Sequence, residues 1–161
     1  MPIVLFRVDE RLIHGQVVVG WGGPLHADRI VVVDDAIAAS AWEQELYCLG
    51  VPPEIETTFV ATDEARRLLG PWGESARRTV VLMRDLGTAT RVAAEGALTG
   101  ADLNLGGIHH APGRERVLPY LFLSESERRS LRALVAEGVK VSARDLPGTR
   151  AVSIEELLEA P

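Results

Sequence analysis

The sequence is poor in the features that mark secreted, membrane-spanning and nucleic-acid-binding proteins. It contains one cysteine, Cys48, so no internal disulfide can form and a disulfide-stabilised secreted scaffold is excluded. No run of about 18 to 20 apolar residues occurs, which argues against a membrane span. The N-terminal residues lack the basic start and long apolar stretch of a signal peptide. The formal net charge of −6 argues against a general nucleic-acid or anionic-membrane binder. We therefore expect a cytoplasmic protein.

The composition is that of a globular domain. Hydrophobic residues make up 47% of the 161 positions and charged residues 25%, which is enough apolar material for a sizeable core. We find no internal repeat, low-complexity tract or linker in the sequence. The chain is therefore expected to form a single domain over residues 1–161.

Short β-branched runs alternate with segments of helical periodicity. The runs predict strands at residues 3–6, 29–33, 56–60, 79–83, 102–105, 117–123 and 139–141. Such alternation is typical of βαβ units, so we predict an α/β fold: an open, mainly parallel sheet of about seven strands with helices on both faces. In sheets of this kind functional side chains gather in the loops at the carboxyl ends of the strands.

Helix boundaries and buried helix faces also have sequence signals. A helix that begins at Thr62 is expected to stop at Gly70, with a surface turn over residues 70–74. The segment after residue 33 has an apolar stripe, which favours a packed helix with Cys48 buried. The members of this stripe are Ala38, Trp42, Leu46 and Leu49, and Trp21 is likewise expected to pack. The other predicted caps are Asp85, the capping box of Ser124 and Glu127, and a second box of Ser153 and Glu156.

The first strand-to-helix connection, RVDERLIHGQV at residues 7–17, carries the candidate chemistry. A turn that only reverses the chain would use Gly, Asn or Ser, whereas this one holds two guanidinium groups, two carboxylates and the imidazole of His14. A neutral imidazole is a suitable nucleophile for a phosphoryl group, and a histidine with an ordinary pKa of about 6.5 is mostly neutral at cytoplasmic pH. The residues of this string therefore suit phosphoryl transfer through His14.

Roles for the neighbouring residues follow from the charge of a transferring phosphoryl group. Arg11 and Arg7 could hold its oxygens bidentately, and the amides of Gly15 and Gln16 at the helix start could bind another oxygen. Asp9 could orient an arginine or fix the imidazole tautomer. The plain alternative is that His14 is a solvated surface residue and that Arg7 and Asp9 form a surface ion pair.

The string RVDERLIHGQV, followed by Trp21 and RIVVVDD, resembles the active-site region of IIB proteins of the mannose/fructose/sorbose family of the phosphotransferase system (PTS). Further along, Asp35, the turn Val51-Pro52-Pro53 and the loop LNLGGIH are also similar to that family. The resemblance runs nearly from end to end. It implies that His14 is phosphorylated, that Arg11 serves the transfer to sugar, and that the fold is an open, largely parallel sheet.

The resemblance also implies a reaction scheme. A IIA protein donates its phosphoryl group to His14, which then phosphorylates a sugar held by the membrane components IIC and IID during uptake. This would make the chain a protein-N(pi)-phosphohistidine–sugar phosphotransferase that uses no cofactor and no metal, acting at the inner face of the membrane through IIC and IID. A homodimer is left open, and the sugar is not specified.

A second loop is a weaker candidate for phosphate binding. Asn104 lies near the end of a predicted strand and Gly106 and Gly107 follow it, where paired glycines could let backbone N–H groups line a phosphate site; the plain alternative is a tight turn. His109 and His110 follow directly, and we assign them no role. Adjacent histidines seldom point at one ion, and no cysteine or acidic partner completes a metal site there.

Two other functions are compatible with the same residues. A IIB-like protein phosphorylated at His14 could regulate a partner without feeding a permease. Alternatively, an α/β domain could bind a phosphate ester or nucleotide through Arg7 and Arg11 without becoming phosphorylated. Covalent labelling of His14 would exclude the phosphate-binding domain, because only the transport and regulatory functions require a phosphorylated histidine. Neighbouring genes for IIC and IID would favour transport over regulation.

Overall fold

A seven-stranded sheet forms the centre of the protein in the computed structural model, which describes residues 2–159. The strands, in chain order, are β1 Ile3–Val8, β2 Arg29–Val33, β3 Glu56–Val60, β4 Thr79–Met83, β5 Asp102–Leu105, β6 Glu115–Leu118, β7 Leu121–Leu123, β8 Lys140–Ala143 and β9 Val152–Ser153. The large sheet has the order β3-β2-β4-β1-β5-β8-β9, and β6 and β7 pair separately. All its pairings are parallel except that of β8 with β9.

Helical segments cover both faces of this sheet. They are a π-helical turn Gln16–Trp21, α1 Gly22–Leu25, α2 Asp35–Ala38, α3 Ala41–Cys48, α4 Thr62–Glu74, α5 Leu86–Ala93, a 3-10 turn Ala94–Gly96, α6 Glu125–Ala136 and α7 Ile154–Glu159. No helix in this part of the chain is both long and apolar enough to cross a membrane. Since the sheet is mainly parallel and has helices on both faces, the predicted α/β architecture is confirmed.

The alternation of side chains along the strands explains the two-sided core. In β2, Ile30 and Val32 pack with the loop after β1, the π-helical turn, α2 and α3, whereas Val31 and Val33 pack with α4, α5 and α6 on the other face. All four are fully buried, as expected for a parallel strand covered on both faces. The helical connection after β1 thus lies on the opposite face from α5, which follows β4.

Two of the predicted helix caps are confirmed in full. The carboxylate of Asp85 accepts the N–H of Thr88 at 2.7 Å. Ser124 and Glu127 form the complete capping box, in which each side chain accepts the other's backbone N–H. The second predicted box is only half formed, since Ser153 Oγ accepts the N–H of Glu156 at 3.3 Å and the reciprocal bond is not found among the described residues.

The prediction for the helix after β3 is wrong at both ends. Ala61 occupies the cap position, and Thr62 is already helical. The helix also continues past Gly70 and through Pro71 to Glu74, so the turn predicted over residues 70–74 is absent. Trp72, which lies beyond the predicted stop, is 5% exposed and belongs to the core. Burial of its ring outweighs the low helix propensity of the two preceding residues.

The predicted strand over residues 117–123 is also wrong. The segment forms the hairpin of β6 and β7, which pair with each other in the small sheet and turn at Pro119 and Tyr120. A proline has no N–H for a strand ladder, so it divides the apolar run into two short antiparallel strands.

Helix α3 does not bury the apolar stripe that the sequence suggested. Trp42, Leu46 and Leu49 are 64%, 56% and 84% exposed, and Cys48 is exposed as well. The helix is held instead by Tyr47, which packs on Phe59 with ring centroids 6.4 Å apart. The expected burial of Trp42 and Cys48 is therefore wrong, whereas that of Trp21, which is 6% exposed, is confirmed.

Candidate functional site

The loop of residues 9–15 connects β1 to the π-helical turn at the carboxyl edge of the sheet. The connections that follow β1 and β4 leave toward opposite faces, which opens a crevice at this edge. Leu12 adopts a left-handed conformation with φ 55°, and its N–H donates to the carbonyl of Asp9 at 3.0 Å. The side chains of Leu12 and Ile13 are buried, so they anchor the loop and present His14 beyond them.

Asp9 is the charge centre of the site and is fully buried. Its carboxylate accepts hydrogen bonds from Arg7 Nη2 at 3.2 Å and from the amide of Gly107 at 3.1 Å. It also accepts three bonds from Arg11: the amide at 3.0 Å, Nε at 3.2 Å and Nη2 at 3.1 Å. Burial favours the neutral carboxyl, but these donors and the Arg7 charge outweigh it and lower the pKa of Asp9. Asp9 is therefore ionised at neutral pH.

Arg7 belongs to β1 and not to the loop where the sequence placed it. Its side chain is fully buried, and its guanidinium donates to the side chain of Asn104 and to the carbonyls of Arg144 at 2.8 Å and Asp145 at 3.3 Å. The guanidinium also stacks over the ring of Trp21, 5.1 Å from its centroid. Burial lowers the pKa of Arg7, and Asp9 opposes this shift. The expectation that Arg7 holds phosphoryl oxygens directly does not fit a group enclosed in this way.

His14 lies at the opening of the crevice with its side chain 17% exposed. Its Nδ1 is 3.0 Å from the carbonyl of Leu12, and since a carbonyl only accepts, Nδ1 carries the proton in this conformation. Nε2 is buried without a hydrogen-bond partner, 3.8 Å from Asp9 Oδ2. Burial lowers the pKa of His14, while the Leu12 carbonyl and Asp9 oppose that shift. The ring is therefore neutral at pH 7, the state that a nucleophile requires.

Arg11 is the cation that remains accessible beside His14. Its side chain is 38% exposed, and besides Asp9 it contacts the side-chain oxygen of Gln16 at 3.1 Å through Nη2. Gly15, which follows His14, is exposed and has open space where a Cβ would stand. The surface next to His14 is therefore open at Gly15 and carries the accessible guanidinium of Arg11.

The second predicted loop stands behind the site instead of lining it. Asn104 is 9% exposed and accepts from Arg7. The amide of Gly106 donates to the carbonyl of Val8 at 2.7 Å, and that of Gly107 donates to Asp9, so neither N–H is available to a phosphate in this conformation. A Cβ on Gly106 would overlap the guanidinium of Arg7 and the carboxylate of Asp9. The glycine therefore serves close packing of the charged network.

Three residues near the site had no predicted role: Glu10, His109 and Arg114. Arg114 Nη1 lies 3.3 Å from Glu10 Oε2, and its other nitrogens bind Glu127 at 2.9 and 2.8 Å. His109 Nδ1 lies 3.5 Å from Glu10 Oε1. Glu10 is part of the charged string itself, and its place beside Asp9 at a strand end was the available signal for a second cluster.

The site does not coincide with the cavity of about 650 Å³ found in the described chain. That cavity lies at the amino ends of β1 and β5, where it is lined by Ile3, Leu5 and Asp102 among others. The chemistry-bearing residues instead meet at the carboxyl ends of the same strands, in a shallow crevice. An open crevice of this kind is better suited to presenting a reactive group to another protein than to enclosing a small molecule.

A known protein family matches the chain over almost its whole length. The model described as the PTS system sorbose subfamily IIB component matches residues 3–161. The chain is similar to the N-acetylgalactosamine-specific phosphotransferase enzyme IIB component 1 of Escherichia coli K12, with 28% identity over 96% of this chain and 97% of the relative. It is 27% identical to the fructose-specific EIIB component of Bacillus subtilis 168, over 98% and 96% of the two chains.

Solved structures agree with these sequence matches. The IIBSor domain of the sorbose permease from Klebsiella pneumoniae superposes with a TM-score of 0.86 at 26% identity and covers 100% of this chain and 99% of its own. The manxB structure from Thermoanaerobacter tengcongensis superposes with a TM-score of 0.84 at 29% identity, over 98% and 95% of the two chains.

Proposed function

Because the chain belongs to the sorbose subfamily of PTS IIB components, we propose that His14 is the residue through which it passes a phosphoryl group toward sugar. IIB components are the phosphotransferases of a sugar phosphotransferase system, and the chain is one of them. The observation that carries the assignment to His14 is a neutral, partly exposed imidazole beside the accessible guanidinium of Arg11.

The residues around His14 have distinct parts in this proposal. Arg11 binds the phosphoryl oxygens, since it is the exposed cation next to the ring. Asp9 holds Arg11 in place through three hydrogen bonds. It also places a negative charge 3.8 Å from Nε2 of His14. Arg7 acts through Asp9 as a positioning residue, and Gly15 leaves room for the phosphoryl group. The amide of Gln16 offers a further donor at the helix start.

Nδ1 is the ring nitrogen that we propose to accept the phosphoryl group. A phosphoryl group on Nε2 would face the Asp9 carboxylate 3.8 Å away, which is a repulsive contact. For Nδ1 to attack, it must lose its proton and turn away from the Leu12 carbonyl, which lies 3.0 Å from it, while Nε2 carries a proton and donates it in a hydrogen bond to Asp9. The lone pair of Nδ1 then forms the new N–P bond while the N–P bond of the donor histidine breaks.

The partners follow from the family and from one relative in particular. The mannose-specific EIIAB component of Escherichia coli K12 is 28% identical over 89% of this chain and 44% of its own length. Its name joins a IIA and a IIB unit in one protein, which supports a IIA protein as the phosphoryl donor for this chain. We further propose that the acceptor is a sugar bound by the membrane components IIC and IID, so that the chain works at the cytoplasmic face of the membrane.

A regulatory role without transport is not favoured. The relatives described above carry names of sugar-specific PTS components, and none of those names describes a regulator. A phosphate-binding domain without a covalent step is also less well supported. Arg7 is enclosed, so a phosphate bound at this string would meet the guanidinium of Arg11 alone, next to a neutral and partly exposed histidine.

Labelling by a cognate IIA protein tests the proposal. Incubation with IIA that carries labelled phosphate should place an acid-labile, base-stable label on His14, with the Nδ1 isomer of phosphohistidine on mapping. His14→Ala should abolish the label, whereas His110→Ala, which removes another histidine of the same edge, should keep it. Label on a different residue, or undiminished label in His14→Ala, contradicts the assignment of His14.

A further inference from the structure

His109 is held rigidly in the loop after β5 by contacts on both sides of its backbone. Its N–H donates to the carboxylate of Glu10, and its carbonyl accepts from Arg114 Nη1 at 2.8 Å. The same loop is joined to the His14 loop by the N–H of Glu10, which donates to the carbonyl of Gly107 at 2.8 Å. These hydrogen bonds fix the position of His109 relative to the His14 loop.

The imidazole of His109 faces the charged groups that flank His14. Its Nε2 lies 3.1 Å from the point that a Cβ on Gly107 would occupy, and Arg11 Nη2 and Asp9 Oδ1 each lie 3.4 Å from that same point. Three polar groups thus converge over the α-carbon of Gly107. Asp9 lies 3.8 Å from Nε2 of His14 and holds Arg11, so the ring of His109 forms a second wall of the same crevice.

Nothing in the network described so far uses Nε2 of His109. The side chain is 54% exposed, and its Nδ1 lies 3.5 Å from Glu10 Oε1. Among residues 2–159 no hydrogen-bond partner is found for Nε2. An imidazole nitrogen that carries a proton is a hydrogen-bond donor, so this nitrogen can donate to an oxygen of a group held in the crevice.

We propose that His109 is a phosphate-binding residue, whose Nε2–H donates to an oxygen of the phosphoryl group carried by His14. The phosphoryl group would be held between Arg11 on one side and His109 on the other, with Glu10 at the far nitrogen of His109. This inference rests on the proposed function, because it requires phosphorylated His14. It adds no covalent step; it adds a second side-chain donor, after Arg11, for the negative charge of the transferring group.

Two variants and one matched control test the contact. His109→Ala should slow phosphoryl transfer to and from His14 by about tenfold or more, the effect of losing one charge-assisted hydrogen bond. His109→Gln, which can place an amide N–H near the position of Nε2, should recover part of that loss. His110→Ala should transfer at the wild-type rate, because the adjacent ring packs edge-on against Phe122 with centroids 5.8 Å apart and not on the site.

A spectroscopic measurement separates phosphate binding from a structural role. In nitrogen-15 NMR, the Nε2 signal of His109 should shift when His14 becomes phosphorylated, and the ring signals of His110 should not. If His14 takes label but His109→Ala transfers like His110→Ala and the His109 signals do not move, the inference is wrong and the proposed function stands. If wild type takes no label on His14, both are wrong.

Discussion

Asp9 and Glu10 are neighbours in sequence and have opposite surroundings. The carboxylate of Asp9 is fully buried, receives five hydrogen bonds and lies 3.8 Å from Nε2 of His14. The side chain of Glu10 is 28% exposed, pairs with Arg114 and lies 3.5 Å from Nδ1 of His109. The end of β1 thus provides two carboxylate–imidazole pairs, one inside the protein and one at its surface.

The difference separates a carboxylate on which the stability of the core depends from one that should tolerate substitution. Asp9 cannot change without leaving the enclosed charge of Arg7 uncompensated, so its contribution includes the stability of the fold. Glu10 can exchange its partners with solvent, so its contribution should be confined to the position of the loop after β5. The three predictions below test this contrast, beginning with the largest expected effect.

The buried pair is tested by Asp9→Asn. The substitution keeps the size of the side chain but removes the charge that faces two guanidinium groups, one of them fully buried. We expect the free energy of unfolding to fall by about 3 to 5 kcal/mol, the usual cost of breaking a buried ion pair from one side. Denaturant unfolding measures the loss, with Asp102→Asn, an exposed carboxylate of β5, as the control. A loss equal to that of the control would contradict the structural role of Asp9.

Titration of His14, the imidazole beside Asp9, sharpens the comparison. Since burial lowers the pKa of His14, the midpoint of its NMR titration should lie below the ordinary 6.5. Between that midpoint and 6.5 the folded state binds fewer protons at His14 than the unfolded state, so stability from this group declines as the pH falls through that window. Each pH unit below the midpoint should reduce the neutral, reactive fraction of the ring about tenfold. A midpoint at or above 6.5 would show that the pocket favours the cation.

The exposed pair should give the smallest effect. Glu10→Gln keeps an oxygen that can accept the N–H of His109 but removes the charge that faces Arg114. We expect a loss of less than about 1 kcal/mol in the free energy of unfolding, because Arg114 retains its two bonds to Glu127 and the pair is partly solvated. The same unfolding experiment measures this loss at low and high salt. A cost as large as that of Asp9→Asn would remove the distinction between the two carboxylates.

The strands of the sheet could be predicted because their side chains have only one suitable environment. The β-branched runs of β2 and β4 are apolar at nearly every position, which is typical of parallel strands buried on both faces, and the structure places them as predicted. The string of residues 7–17 was singled out by its unusual charge at a strand end, and the structure brings His14, Arg11 and Asp9 of that string together.

Other features could not be predicted because they depend on what lies across the fold. The charge of Arg7 suggested a loop, but acceptors at Asn104, Arg144 and Asp145, all remote in sequence, let it lie inside the core. The apolar stripe on α3 suggested burial, yet Trp42 and Leu46 are exposed. Apolar periodicity shows that a helix has an apolar face, but it does not show that another part of the same chain covers that face.

The hydrogen bonds from Arg7 to the carbonyls of Arg144 and Asp145 tie the first strand to a segment near the end of the chain. During synthesis on the ribosome, the strand that carries Arg7 emerges well before these acceptors, which follow 137 and 138 residues later. A chain that stops before Arg144 would therefore contain His14 but would leave the buried guanidinium of Arg7 without two of its acceptors. Such shortened copies should be unstable instead of partly active.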